Sequence, residues 1–401
     1  MVQDTAEEII AYADQLKKLV KEHETWRTKN TLNLLAAENF ASDSTRSFLS
    51  TDLSNRYTAR DKFYRGTKFA DEIEEFAGEL AKKLFHAKFA DIRPLSGHTC
   101  SLILFMSFLK PGDKVVTCSP QYGGYPGSSE LGLGPLLNLK NLYFPYDPEA
   151  MNIVSEKARE LIGNEQPQVT VFGSSFIPFP QQVKPALPED YSGVTAFDGS
   201  HVLGLIAGGE FQKPLEEGCD VLMGSTHKTF FGPQGGLIVS NNEQIFETID
   251  AKIFPGIVDN IHLNRVASLS YAMIEMLKFG RQYAAQVVRN SKALAKTLHD
   301  LGIPVKCASY GFTKSHQVLL NFSDAESVEV ADRLQAFDII ADTGIRLGTS
   351  EVTRRGMKEV EMEMIGSVIH DALKENAEKD QIMDRVHHLV RAFNSIEFSL
   401  E

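Results

Sequence analysis

The side chains best suited to chemistry fall in four short segments. The sharpest is Gly224-Ser225-Thr226-His227-Lys228-Thr229, which follows the apolar run Asp220–Met223. It leads through Gly232-Pro233-Gln234-Gly235-Gly236 into a second run, Gly236–Ser240. Lysine is rarely buried without a partner or a task. A desolvated ε-amine is a good nucleophile toward a carbonyl, so Lys228 is a candidate Schiff-base lysine. A lysine snorkelling from a loop is the competing reading. The second segment, Val194-Thr195-Ala196-Phe197-Asp198-Gly199-Ser200-His201, is an apolar strand ending in Asp, with His three residues on. Ligands of open α/β sheets gather at the carboxyl ends of strands. An Asp that merely caps a helix is the alternative, which the downstream Lys228 weakens.

Pyridoxal phosphate needs this pair. A carboxylate at the ring nitrogen keeps it protonated, so the ring can take up the electrons of a bond broken at Cα. The third segment, Ile92-Arg93-Pro94-Leu95-Ser96-Gly97-His98-Thr99-Cys100-Ser101, reads as strand, Ser-Gly turn and helix start. Free N–H groups and the helix dipole there suit a phosphate, although many such turns only cap helices. The fourth, Thr343-Gly344-Ile345-Arg346-Leu347-Gly348-Thr349, puts an arginine inside a strand pattern. Its planar fork fits the carboxylate of an amino acid, or else a structural ion pair. Arg354 and Arg355 follow in a predicted turn with a solvated or contact role.

Elements that could position these groups are visible in the pattern. Apolar runs at Lys114–Cys118, Asn141–Phe144, Val169–Phe172, Val194–Phe197, Asp220–Met223 and Gly236–Ser240 alternate with helical or turn-rich stretches. That predicts an α/β domain with a mostly parallel sheet covered on both faces. From about Ser268 a long helical pattern, short strands at Gln317–Phe322 and Ile345–Leu347, and two closing helices predict a smaller α+β domain. At the start, Thr5 and Glu8 form a capping-box pattern. Ile9, Ala13, Leu16 and Val20 then make one apolar stripe, which could pack on the chain's own body or on a partner. The expected divisions are an arm at 1–30, a large domain at 31–267 and a small domain at 268–401.

Composition bounds the rest. The 401 residues carry 41 Lys and Arg against 53 Asp and Glu, a net charge of −12, so nucleic acid is not an expected partner. No apolar run reaches the roughly 20 residues that span a bilayer. The N-terminus does not read as a signal peptide. Cys100, Cys118, Cys219 and Cys307 form no CxxC pair, so neither a metal site nor a disulfide framework is expected, and the setting reads as cytoplasmic.

From about Leu32 to Asp371 the chain resembles serine hydroxymethyltransferase, a fold-type-I pyridoxal phosphate enzyme. The resemblance rests on Ala37-Glu38-Asn39-Phe40, Ser96-Gly97, Gly123-Gly124, Asp198 with His201, Thr226-His227-Lys228-Thr229, Gly232-Pro233, Gly235-Gly236, Phe254-Pro255-Gly256, and Gly344-Ile345-Arg346 through Thr353-Arg354-Arg355-Gly356. It implies that Lys228 holds the cofactor as a Schiff base and Asp198 pairs with the pyridinium nitrogen. His201 and Ser175 would lie near the ring and its phenolic oxygen, with Tyr125 stacked where the family has a histidine. Ser96, Gly97 and His98 would hold the phosphate. Ser225 and His227 would join the cofactor contacts beside the lysine. Arg346 would bind the substrate carboxylate. Gly256 and Tyr57 would come from the second subunit of a homodimer, and Tyr57, Tyr64, His201 and the Tyr125 neighbourhood are candidates to take the proton of a β-hydroxyl.

The departures concern the folate side. Ala59 stands where the family has a proton-transferring glutamate, and alanine is neither acid nor base. Ala37 replaces a serine, Gln234 an arginine, and Val258-Asp259-Asn260 a Gln-Gly-Gly. The long loop before Arg346 is missing, with Phe337–Asp342 running almost directly into Thr343. The expectation is an enzyme that makes or breaks the Cα–Cβ bond of a β-hydroxy-α-amino acid without folate. The alternatives are hydroxymethyl transfer to a tetrahydropterin, or other pyridoxal phosphate chemistry at Cα.

Overall fold

Runs of valine, isoleucine and leucine too apolar to face water on either side must be sandwiched between helices. In this computed structural model, which describes residues 5–58 and 63–401, they form β1 (Phe89–Asp91), β2 (Lys114–Thr117), β3 (Lys140–Tyr143), β4 (Val169–Phe172), β5 (Val194–Asp198), β6 (Val221–Ser225) and β7 (Gly236–Ser240). These make one seven-stranded sheet in the order β1-β7-β6-β5-β4-β2-β3. β3, β2, β4, β5 and β6 pair in parallel. β7 lies antiparallel to both of its neighbours, so β1 points the same way as the parallel strands. The mostly parallel α/β sheet is as expected, with all six predicted strands present. β1 is the strand expected ahead of the Ser96-Gly97 turn, but it ends at Asp91, before the Ile92 that opens that segment; it is three residues long, and two of them are only half-buried.

Apolar side chains gather in two main clusters. The first covers the sheet. The second joins Val318 and Leu347, from β8 (Gln317–Leu319) and β9 (Arg346–Gly348), to residues of the last two helices, with Met362, Ile369, Ile382 and Leu389 at its centre. β8 and β9 pair antiparallel. Leu32 and Leu34 also belong to this second cluster, because Leu32 and Asn33 pair in parallel with Ile339 and Ile340. The 38-residue helix Leu263–Asp300 ties the clusters together. Its Leu263 to Val287 side chains enter the first, and Leu294, Ala295 and Leu298 enter the second.

The N-terminal helix α1 (Ala6–Thr25) has the predicted capping box from Thr5 and Glu8. None of its residues is buried, so the Ile9, Leu16 and Val20 stripe does not pack on its own body. The helix α2 (Lys68–Phe85) buries Ala77, Leu80, Ala81 and Leu84 as its periodicity requires, but leaves Phe76 exposed. Arg354 and Arg355 correct the solvated-turn alternative. Both are buried. Arg354 Nη2 donates to Glu275 of the long helix at 2.6 Å, with its guanidinium 3.9 Å over the Phe231 ring. A buried guanidinium needs such a counter-charge. No helix among the described residues is long and apolar enough to cross a membrane.

Candidate active site

The carboxyl ends of β1, β2, β4, β5 and β6 open toward one cavity of about 190 Å³, lined by Ser96, Gly97, His98, Tyr125, Ser174, Ser175, Asp198, Ser200, His201, Ser225, His227 and Lys228. Ten of the eleven residues foreseen around the cofactor are in that lining. Ser174 and Ser200 are additions, each adjoining a residue the sequence had singled out.

Local sequence explains the positions. Ser96 caps the helix α3 (Gly97–Phe108), its Oγ accepting from Thr99 N–H at 3.0 Å. The N–H groups of Gly97 and His98 start the helix, so no carbonyl one turn back within it is available to them. Gly97 is pressed against the strand ends: a Cβ there would lie 2.9 Å from Ser200 Oγ and 3.1 Å from Ser225 N. Only glycine lets this helix start approach so closely. Asp198 ends β5, and its Oδ1 accepts from Ser200 N–H at 2.9 Å. Gly173 follows β4 with φ of 95° and would clash with the Asp198 carbonyl if it carried a Cβ. Lys228 lies in the β6–β7 connection, which closes on itself through Thr226 Oγ1 to Pro233 O at 2.7 Å and Thr226 N to Gly235 O at 3.1 Å. Asn39 anchors it from outside, donating to the Lys228 carbonyl at 2.7 Å.

Burial makes the site electrostatically unusual. It pushes the Lys228 ammonium below its ordinary value, opposed by the Asp198 charge and assisted by Arg346. The Lys228 Nζ has no hydrogen-bond partner among the described residues. Burial and the Lys228 charge hold His227 down at about 4, and its Nδ1 is buried without a partner. His201 is held well below its ordinary value by burial, then by Lys228, Arg346, His316 and His227. The Tyr125 hydroxyl, 3.2 Å from His98 Nδ1, is raised by burial and the Asp198 charge. A desolvated amine, a strand-end carboxylate, unpaired helix-start N–H groups and an orphaned imidazole nitrogen suit a ligand that bears an aldehyde, a ring nitrogen and a phosphate. Pyridoxal phosphate fits that set.

The substrate-side residues are arranged differently. Arg346 does not line the cavity; it adjoins it through Nη1, which donates to the Ser175 carbonyl at 2.7 Å. Its Nε donates to Asp342 Oδ2 at 2.9 Å, and its guanidinium lies 4.7 Å over the Phe176 ring. Tyr57 and Tyr64 touch with tilted rings, centroids 5.3 Å apart, at the surface and outside the cavity. Gly256 lies in the Ile253–Ile257 turn, also outside it. Ala59 falls outside the described residues. Sequence reasoning passed over His316 and Gln317. His316 Nε2 lies 3.0 Å from the Ala36 carbonyl, its ring 5.8 Å from that of His201 and nearly parallel. A His-Gln pair opening an apolar strand was the signal.

A family model described as serine hydroxymethyltransferase matches residues 10–369. Among curated proteins, the serine hydroxymethyltransferase of Methanobrevibacter smithii is 37% identical, over 96% of this chain and 95% of its own length. That of Methanothermobacter thermautotrophicus is 38% identical, over 97% and 96%. Among solved structures, the L-threonine transaldolase of Pseudomonas fluorescens in its internal aldimine state superposes with a TM-score of 0.91 at 28% identity, covering 98% of this chain and 94% of that one.

Proposed function

The chain belongs to the serine hydroxymethyltransferase family of pyridoxal-phosphate-dependent enzymes, and from that premise we propose that it makes or breaks the Cα–Cβ bond of a β-hydroxy-α-amino acid. The observation that carries this reading is the meeting of Lys228, Asp198 and the open start of α3 in one cavity, with Arg346 behind Ser175. The bound cofactor supplies an electron sink for the pair released at Cα.

The chain's own residues do the rest. Lys228 offers a poorly solvated amine that holds the cofactor. Asp198 keeps its ring nitrogen protonated. Ser96, the Gly97 and His98 N–H groups, Ser225 and His227 hold its phosphate end, and Tyr125, Ser175 and His201 hold its ring. Arg346 fixes the substrate carboxylate by charge-assisted hydrogen bonds, which orients the bond to be broken. Tyr57 and Gly256 reach a site from the second subunit of a homodimer; the uncovered stripe of α1 supports that assembly. The four free cysteines are buried, which suits a reducing, cytoplasmic setting. The arm, large domain and small domain divide at about 30 and 267, with Leu32 and Leu34 crossing to the second cluster.

Aldehyde exchange without folate is the preferred reaction. Ala59 and the tight turn before Arg346 support it, as does the likeness to a transaldolase. The names of the curated relatives favour the second reading, hydroxymethyl transfer from serine to a tetrahydropterin. Turnover of serine and of threonine, each with and without tetrahydrofolate, separates the two. Glycine and a free or transferred aldehyde without pterin is the expected outcome. Strict pterin dependence with serine sinks the preference, and products lacking glycine point to other chemistry at Cα.

A further inference from the structure

The structure assigns to Gln317 the task of fixing the proton of His201 on Nε2, so that His201 serves as a hydrogen-bond donor to the cavity and not as the base that takes the β-hydroxyl proton. This rests on the reading above for what the cavity binds.

Gln317 is the first residue of β8 and is completely buried. The orientation of its amide is determined by two main-chain partners. Ile177 N–H donates to Oε1 at 2.8 Å, and Nε2 donates to the Ser175 carbonyl at 2.8 Å. A main-chain N–H only donates and a carbonyl only accepts, so flipping the amide would lose both bonds. The remaining Nε2 hydrogen then faces His201 Nδ1 at 3.2 Å. That ring nitrogen must accept, so it is unprotonated, and the neutral ring carries its hydrogen on Nε2. A doubly protonated ring would set N–H against N–H in a dry site.

The groups around His201 favour the same state. Burial, then Lys228, Arg346, His316 and His227, push His201 well below its ordinary value, and none of these four neighbours adds negative charge. His316, stacked on the His201 ring, donates from Nε2 to the Ala36 carbonyl and is pushed down by burial to about 3. Asp198 lines the same cavity, but its Oδ1 is taken by Ser200 N–H. His201 Nε2 makes no hydrogen bond among the described residues, and the ring lines the cavity. Its hydrogen is therefore available to an oxygen of whatever enters. A nitrogen that already carries a proton cannot accept one, which removes His201 from the candidates to take the β-hydroxyl proton. Gln317 also shares the Ser175 carbonyl with Arg346, whose Nη1 donates to it at 2.7 Å. It thereby braces the carbonyl against which the arginine is held.

The test reads the imidazole nitrogens directly. Full-length protein with ¹⁵N-labelled histidine, supplied with pyridoxal phosphate, is examined by long-range ¹H–¹⁵N correlation from pH 5.5 to 8.5, with His201→Gln to assign the signal. Wild type is expected to show a single Nε2–H tautomer that does not titrate in that range. Gln317→Glu replaces the donor with an acceptor of the same shape. It should place a proton on Nδ1, bring an ionisation of His201 into the range, and lower kcat about 10²-fold while KM moves less than about threefold. An Nδ1–H or titrating ring in wild type overturns the assignment, and so does an unchanged tautomer in a folded Gln317→Glu variant. If that variant does not fold, the wild-type spectrum decides alone. A wild type that takes up no cofactor refutes the functional reading instead, since the tautomer is read independently of turnover.

Discussion

The cofactor side and the substrate side of the site are built by different means. On the cofactor side each group is held by a strand end or a helix start within one chain: Asp198 at the end of β5, Lys228 in a closed turn anchored by Asn39, Gly97 wedged against Ser200 and Ser225. On the substrate side Arg346 reaches the region from the second cluster, touching it only through the Ser175 carbonyl. Tyr57 and Gly256 stand outside the cavity, and Tyr57 is 52% exposed. The groups proposed to hold the cofactor are thus secured by the sheet, whereas those proposed for the substrate lie on loops and the smaller body. That division explains how a family frame can be kept while the segments beyond it change. Here Phe337–Asp342 runs into Ile345 at φ of 47°, which folds the Asp342 carboxylate onto Arg346 in place of a longer loop.

The contrast is sharpest at Lys228. Lys228→Ala should abolish the bound chromophore and lower kcat/KM by about 10⁴-fold, while leaving the melting temperature of the cofactor-free protein equal or higher, since a desolvated charge is removed. Retained turnover would break the comparison at its stronger end. Asp198→Asn keeps the shape but loses the charge. A fall of about 10³-fold in kcat with KM little changed is expected, read by steady-state kinetics at saturating cofactor. Arg346→Ala tests the other side. Losing charge-assisted hydrogen bonds of about 1.5–3 kcal/mol should raise KM roughly 10- to 100-fold, with visible absorbance intact. Loss of cofactor in this variant would mean that the two sides are not separable.

The smallest effect concerns pH. His201, His227 and His316 are held neutral in the fold, with His227 near 4 and His316 near 3. The unfolded chain, with histidine near 6.5, binds protons first as pH falls. Their contribution to stability is therefore complete above about pH 6.5 and is lost as pH drops through the range toward 4, at up to about 1.4 kcal/mol per unit for each ring. Denaturant unfolding at pH 7, 6 and 5 should show this slope, and His316→Asn should reduce it by about one proton. A flat profile over that range would contradict the buried, neutral rings.

Much of the cofactor side was legible because its signals are local. An apolar run ending in Asp, another leading to a lysine turn, and a Ser-Gly helix start are each contained within about ten residues. The cavity gathers them because parallel strands place their carboxyl ends together. The bounds of the edge strand Phe89–Asp91 were not legible, because it is short and partly exposed; only a strand ahead of the Ser-Gly turn was. Nor was the role of Gln317, whose partners Ile177, Ser175 and His201 lie more than a hundred residues away. The burial of Arg354 was hidden for the same reason: Glu275 and the closing segment at Glu397 and Phe398 meet it only in the fold. For α1 the periodicity marked an apolar stripe but could not say what covers it.

Hydride trapping tests the account at its root. The protein, purified with pyridoxal phosphate supplied, is reduced with borohydride, digested and analysed by mass spectrometry. The peptide containing Lys228 is expected to carry the reduced pyridoxyl group, with the visible band lost on reduction. A colourless preparation whose Lys228 peptide stays unmodified, or a label on any other lysine, would contradict it.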